Sequence, residues 1–177
     1  MNAPSSIATL RTALNADRRM LRAAVERVPE SLRTVKPAPD RWSVAEVLEH
    51  LSIVERGALL RVRALIQAAP AVDEPAALTA LDRDFLKNRT RRITAPDRIQ
   101  PTGTISVETA LAALERSREE LLAVLSEAEG RDLSKVTQPH PALGPLDGYQ
   151  WIAIIGGHEM RHSLQIDEIA AGLMGHA

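Results

Sequence analysis

Apolar residues recur at alternating three- and four-residue steps through four long stretches of this 177-residue sequence, and that spacing commits the chain to amphipathic helices. The first stretch runs from about Ser6 to Val28, is closed by Pro29, and carries Ile7, Leu10, Leu14, Leu21, Ala24 and Val28 on its inner stripe. The second opens at Ser43, where Glu46 three residues on completes a capping box, and continues to about Ala69 before Pro70. The third follows Ser106, carries Val107, Leu111, Leu114, Leu121, Leu125 and Ala128, and ends near Gly130. The fourth opens at Asp147, with Gln150 at its third position, and runs to about Leu173. Strand signals are nearly absent, and four amphipathic helices of about six turns each predict an all-α four-helix bundle. The length suits one domain over residues 1–177. The segment from Ala71 to Gly103 is then a long crossover with one short helix, Pro75 to Lys87, and Pro139 to Pro145 reads as a rigid loop leading into the last helix.

The inner face of the fourth helix reads Trp151, Ile155, His158, His162, Gln165 and Ile169. At about 100° per residue His158 and His162 lie only about 40° apart around the axis, so one face presents two imidazoles that can grip a single metal ion. The string His158-Glu159-Met160-Arg161-His162 also spells H-E-x-x-H, the zincin signature in which the glutamate is a general base toward a metal-held water. Two imidazoles are too few for a catalytic metal, which usually takes three protein ligands and keeps a further position open. Gln165 and Glu168 stand where the longer metzincin pattern requires Gly and His, and the sequence ends at Ala177, before another ligand-bearing helix would fit. His176 lies in a terminal Gly-His-Ala tail and His140 sits between prolines. His50 remains, three residues after Val47 and four before Val54, in phase with the inner stripe of the second helix. Three imidazoles therefore point at one interior.

The other helices interrupt their stripes at mid-length as well. The apolar step between Leu14 and Leu21 falls on Asp17 and Arg18, and the step between Leu114 and Leu121 falls on Ser117 and Arg118. Burying such groups unpaired costs several kcal/mol, so a polar layer shared by the four helices reads as the wall of a site, or else as edge residues whose heads reach water. In the first case Arg18 or Arg118 is available to hold an anionic group of a substrate. Glu159 sits one step off the seam, where it reads either as a base or as an interhelical ion-pair partner behind the metal ligands.

Composition narrows the function classes. Cysteine is absent, which removes disulfides and thiolate ligands together and suits a reducing cytosol. The formal net charge is -1, giving no global reason to bind nucleic acid or an anionic membrane. The basic residues Arg83, Lys87, Arg89, Arg91, Arg92 and Arg98 are interleaved with Asp82, Asp84 and Asp97 and have one aromatic neighbour, Phe85, so they read as a solvated crossover. No clean apolar run is longer than that of Trp151 to Ile155, which is far below the roughly 18 residues of a membrane span. No basic segment followed by an apolar stretch opens the sequence, and a soluble cytoplasmic protein is expected.

Trp42-Ser43 followed by His50-Leu51, then His140-Pro141 and Gly144, then His158, His162 and Gln165-Ile166 form an ordered set in which the chain resembles the DinB-like superfamily, the DinB/YfiT bundle proteins. The resemblance spans the second to the fourth helix. It implies an up-down-down-up four-helix bundle with a long crossover between helices two and three, and a three-His site for a divalent metal, zinc or nickel. It also implies His50, His158 and His162 as the ligands, and a homodimer. It does not imply one activity, because relatives include thiol-dependent S-transferases and isomerases that use a low-molecular-weight thiol, and others described as hydrolases.

The expected function is a metal-dependent enzyme acting on a small molecule, in which the metal activates either a thiol or a water. A non-catalytic bundle dimer that binds a ligand or partner is the alternative. A zincin peptidase is the third reading, and it fits a chain with so little sheet poorly.

Overall fold

The computed structural model describes residues 5–90 and 94–175; Arg91, Arg92 and His176, named above, lie outside the described residues. Four long helices form the bundle: α1 (Ser6–Glu26), α2 (Val44–Ala68), α4 (Val107–Val124) and α5 (Gly148–Met174), with a short α3 (Arg83–Lys87) in the crossover. Their starts are local. Ser5 accepts a hydrogen bond from the Ala8 N–H at 3.1 Å, and Ser43 and Glu46 form a reciprocal capping box, as do Asp147 and Gln150. The helix ends differ slightly from the sequence reading. α1 stops at Glu26 because Pro29 biases Val28 away from helical backbone, and α4 gives way at Leu125 to a 3-10 turn that runs to Ala128.

Cross-helix pairs give the directions. Arg18 meets Glu159 and, nine residues on, Arg27 meets Asp167, so α1 and α5 run parallel. Arg11 reaches Ser126 while Arg22 reaches Glu115, so α1 and α4 run antiparallel. The first half of α2 shares an apolar cluster with Ile166 to Ala170 and the second half shares one with Trp151 to Ile155, which makes α2 antiparallel to α5. The bundle is therefore up-down-down-up. Two consecutive bundle helices, α2 and α4, are parallel, and the chain must travel back the full length of the bundle between them. That is the task of the crossover.

The core is divided. One apolar cluster gathers Leu10, Leu14, Val62, Ile66, Leu125 and Ile152 around Tyr149; the other gathers Leu21, Val25, Leu48, Leu51, Leu114 and Ile166. Asp17, Arg18, His50, Glu55, Ser117, Arg118, Glu159 and His162 are also buried, at the mid-length positions where the stripes break. Gly156 lets α1 come close to α5 there, because a Cβ at this position would collide with the Asp17 carboxylate. Asp17 in turn is gripped by Arg83 of α3, through Nη2 at 2.5 Å and Nη1 at 3.1 Å.

Two expectations are corrected. The crossover helix is limited to Arg83–Lys87, because the Asp82 side chain accepts the Asp84 and Phe85 N–H groups and starts the helix there, while Leu78 and Leu81 pack against the core outside any helix. The Pro139 to Pro145 segment is not a simple loop but lies within an antiparallel ribbon, β1 (Thr137–His140) and β2 (Gly144–Asp147). Pro139 faces Pro145, a rung that needs no inner N–H, and Gly144 supplies the positive φ of 76° at the turn. Among the described residues no helix is long and apolar enough to cross a membrane.

Candidate metal centre

His50 comes from α2, and His158 and His162 come from successive turns of α5. The seam phase of both helices turns the three rings toward each other: Nε2 of His158 lies 3.4 Å from Nε2 of His50 and 3.0 Å from Nε2 of His162. The three residues form a group whose ligand atoms all lie within 4.8 Å of one another. Ligands about 2.0 to 2.1 Å from one ion in tetrahedral geometry sit about 3.3 Å apart, so this cluster is the size of a three-ligand set.

The far sides of two rings decide which nitrogen faces inward. His50 Nδ1 is 2.7 Å from the carbonyl of Ile99, and His162 Nδ1 is 2.8 Å from Oε1 of Gln165. A carbonyl only accepts, so both Nδ1 atoms carry the proton and both Nε2 lone pairs point into the cluster. Converging lone pairs repel one another unless a cation lies between them, and the donor set thus fits a divalent ion. Trp42 covers the group, its ring 4.9 Å from His50 and 6.5 Å from His162.

All three rings are held neutral. Burial pushes the His158 ring down to about 3, and the nearby His50 and His140 rings add to the effect. Burial likewise holds His162 well below the ordinary imidazole range, with His158 next in weight, and it lowers His50 against the pull of the Ile99 carbonyl. Neutral imidazole is the form that binds a metal, so protons do not compete for these nitrogens near neutral pH.

Arg18 and Arg118, read as substrate contacts or as edge residues, and Glu159, read as a base or as an interhelical ion-pair partner, lie together in a buried ion cluster. Glu159 is 1% exposed and lies between the two arginines: Arg18 Nε donates to Oε1 at 2.6 Å and Arg118 Nη2 to Oε2 at 2.9 Å. Arg18 also donates to Glu55 at 2.8 Å and to the Leu114 carbonyl at 2.7 Å, while Arg118 donates to the Leu14 carbonyl. Every guanidinium nitrogen of Arg18 is engaged in this cluster. The reason is helical phase: Glu159 is turned about 100° from His158 and meets Arg18 of α1 and Arg118 of α4. The ion-pair reading of Glu159 is the one this geometry matches. Burial, and then the Glu159 charge, push the Glu55 carboxyl up to about 7 against the two arginines.

Sequence reasoning missed the groups behind the ligands. Ile99 contributes only a backbone carbonyl, which no side-chain pattern reveals. Gln165 stood on the seam as an unexplained polar residue, and it serves His162 while also meeting Arg89 at 3.4 Å. His140 lies at the ribbon turn beside Trp151, ring centroids 5.3 Å apart.

Two outcomes follow from this arrangement. Glu159→Ala leaves two buried guanidinium groups short of a carboxylate, so chemical denaturation should show a loss of about 3–5 kcal/mol; a loss under 1 kcal/mol would mean the cluster is not structural. The second concerns pH. All three rings are lowered in the folded state and titrate near 6.5 when unfolded, so below that value the unfolded chain binds more protons and metal-free protein loses stability as pH falls, by up to about 1.4 kcal/mol per unit for His158, whose loss continues toward about 3. Glu55 acts oppositely between about 7 and 4.5, since its raised value favours the folded state at the acid end, but one carboxyl is outnumbered by the rings. Urea unfolding midpoints in the presence of chelator should therefore drop between pH 6.5 and 4.5.

Comparison with known proteins places this chain in a family. The sequence model described as the DinB superfamily matches residues 13–166. The chain is 34% identical over 137 residues to the uncharacterized protein YuaE of Bacillus subtilis (strain 168), covering 76% of this chain and 80% of that one. Its fold is similar to the crystal structure of TT2238, a four-helix bundle protein, with a TM-score of 0.60 and 21% identity over 92% of this chain and 98% of that one, a likeness of fold alone. The match that runs from within α1 to the end of the His-bearing face of α5 gives the conclusion directly: the chain belongs to the DinB superfamily.

Proposed function

We propose that the chain is a metal-dependent enzyme that acts on a small molecule at the His50, His158 and His162 centre, as a thiol-dependent S-transferase or a hydrolase. The observation that carries this reading is the convergence of three neutral Nε2 donors, two of them with their tautomer fixed from behind by a carbonyl oxygen. When bound there, a divalent ion such as zinc or nickel supplies positive charge that makes a water or thiol acidic enough to react near neutral pH.

The chain's own residues do the rest. His50, His158 and His162 would hold a divalent ion through neutral nitrogens and so leave it its full charge, whereas carboxylate ligands would cancel part of it. Trp42 packs over His50, and His50 and His162 are buried between α2 and α5, which lowers the local dielectric and strengthens electrostatic effects at the cluster. Three protein ligands leave room for a nucleophile and a substrate atom. A low-molecular-weight thiol is the preferred nucleophile on family grounds, and it fits a cytoplasmic setting and a chain without cysteine of its own.

His50→Ala and His162→Ala should each weaken binding of zinc or nickel strongly and abolish turnover in a panel of thiols and electrophiles. Full activity in His162→Ala would end the metal mechanism. The homodimer belongs to the same reading, supported by family membership; light scattering at micromolar concentration should give twice the 19.3 kDa chain mass, and a monomer would remove it.

A further inference from the structure

Glu49 precedes His50 on α2 and is 4% exposed, yet it has no cationic partner among the contacts of the described residues. Its carboxylate is instead filled by the crossover. Oε1 accepts the Thr102 N–H at 2.9 Å and the Thr102 hydroxyl at 2.6 Å, and Oε2 accepts the Gly103 N–H at 2.9 Å. Gly103 has a positive φ of 72°, the backbone region that lets the chain turn over the carboxylate. A short step upstream, past Gln100 and Pro101, is Ile99, whose carbonyl accepts the His50 Nδ1 proton. Two adjacent residues of one helix thus hold the two ends of one five-residue segment. Glu49 grips residues 102 and 103, and His50 is held by residue 99.

We propose that Glu49 is a positioning residue for the metal centre, anchoring residues 99–103 so that the Ile99 carbonyl keeps His50 in its Nδ1–H tautomer with Nε2 toward His158. A neutral imidazole in water exchanges between two tautomers, and only one of them offers Nε2 as a ligand here. The selecting group is a backbone carbonyl on a crossover outside the helices, so its position is only as good as its anchor. Bonds from two backbone N–H groups and a hydroxyl to a buried carboxylate are of the strong, charge-assisted kind. His162 has its acceptor on its own helix, three residues on, and needs no such anchor. His50 is therefore the ligand whose presentation depends on a distant segment. This inference rests on the metal reading above for its consequence, but not for its first measurement.

The experiment compares the parent with E49Q and E49A, each purified without a polyhistidine tag. In metal-free protein, long-range 15N–1H correlation of the His50 ring should show the Nδ1–H form in the parent, a mixture of tautomers in E49A, and a smaller shift in E49Q, which keeps the Thr102 contacts and the side-chain shape. Zinc affinity, read by competition with a chromophoric chelator, should fall about 10–100-fold in E49A and less in E49Q. An unchanged His50 tautomer in both variants overturns the proposal, even if zinc affinity falls, because Glu49 would then act only on the stability of the crossover. Zinc affinity within twofold of the parent in E49A overturns it as well. A parent that binds no divalent metal would overturn the proposed function instead, and the ring spectra alone would still decide the role of Glu49.

Discussion

One buried charge cluster joins all four bundle helices. Arg18 of α1, Glu55 of α2, Arg118 of α4 and Glu159 of α5 form it, and with Glu55 ionised the four formal charges sum to zero. Such a cluster is a weak source of net stability, because desolvating four charges costs about as much as their attraction returns. It acts through geometry. Arg18 donates to the carbonyl of Leu114, four residues before Arg118, and Arg118 donates to the carbonyl of Leu14, four residues before Arg18. This reciprocal pair fixes the axial register of α1 against α4. Glu159, clamped between the arginines, fixes the rotation of α5, and with it the direction in which the neighbouring His158 points. The fit is incomplete at one place: Glu55 Oε1 and Arg118 Nε lack hydrogen-bond partners and face each other at 3.6 Å.

Helical periodicity made most of this legible in the sequence. The four bundle helices, both capping boxes and the inward phase of His50, His158 and His162 all follow from spacing, because a 3.6-residue repeat leaves little choice of face. The mid-length breaks at Arg18 and Arg118 were visible as well, but spacing left open whether these heads line a site or reach water, and both are buried in ion pairs instead. Their partners were harder to read. A cation on an inward step requires an anion, but sequence spacing does not say whether the anion is a substrate or a carboxylate on another helix. Glu55 and Glu159 both satisfied the requirement from inside the chain. The H-E-x-x-H spelling misleads for a related reason, since motif letters fix order along the helix while chemistry depends on which side of it each residue occupies.

Backbone groups were the blind spot. The Ile99 carbonyl and the N–H groups of Thr102 and Gly103 belong to residues whose side chains announce nothing, and they matter because Glu49 and His50 lie buried beneath them. The ribbon was hidden by its prolines, which ordinarily argue against a strand. They are tolerated because a two-stranded ribbon has no interior strand.

That ribbon has a further property. The Gly148 N–H bonds to the Val136 carbonyl, which marks the 136/148 rung as hydrogen-bonded; by alternation the Pro139/Pro145 rung is one whose backbone groups face outward. Proline has no N–H to offer there, so each outer edge of the ribbon loses a donor at mid-length. An exposed two-stranded ribbon is a ready template on which foreign strands add and aggregates grow. The paired prolines blunt both edges at once, and they let the chain keep a strip of sheet beside its site without making that strip adhesive.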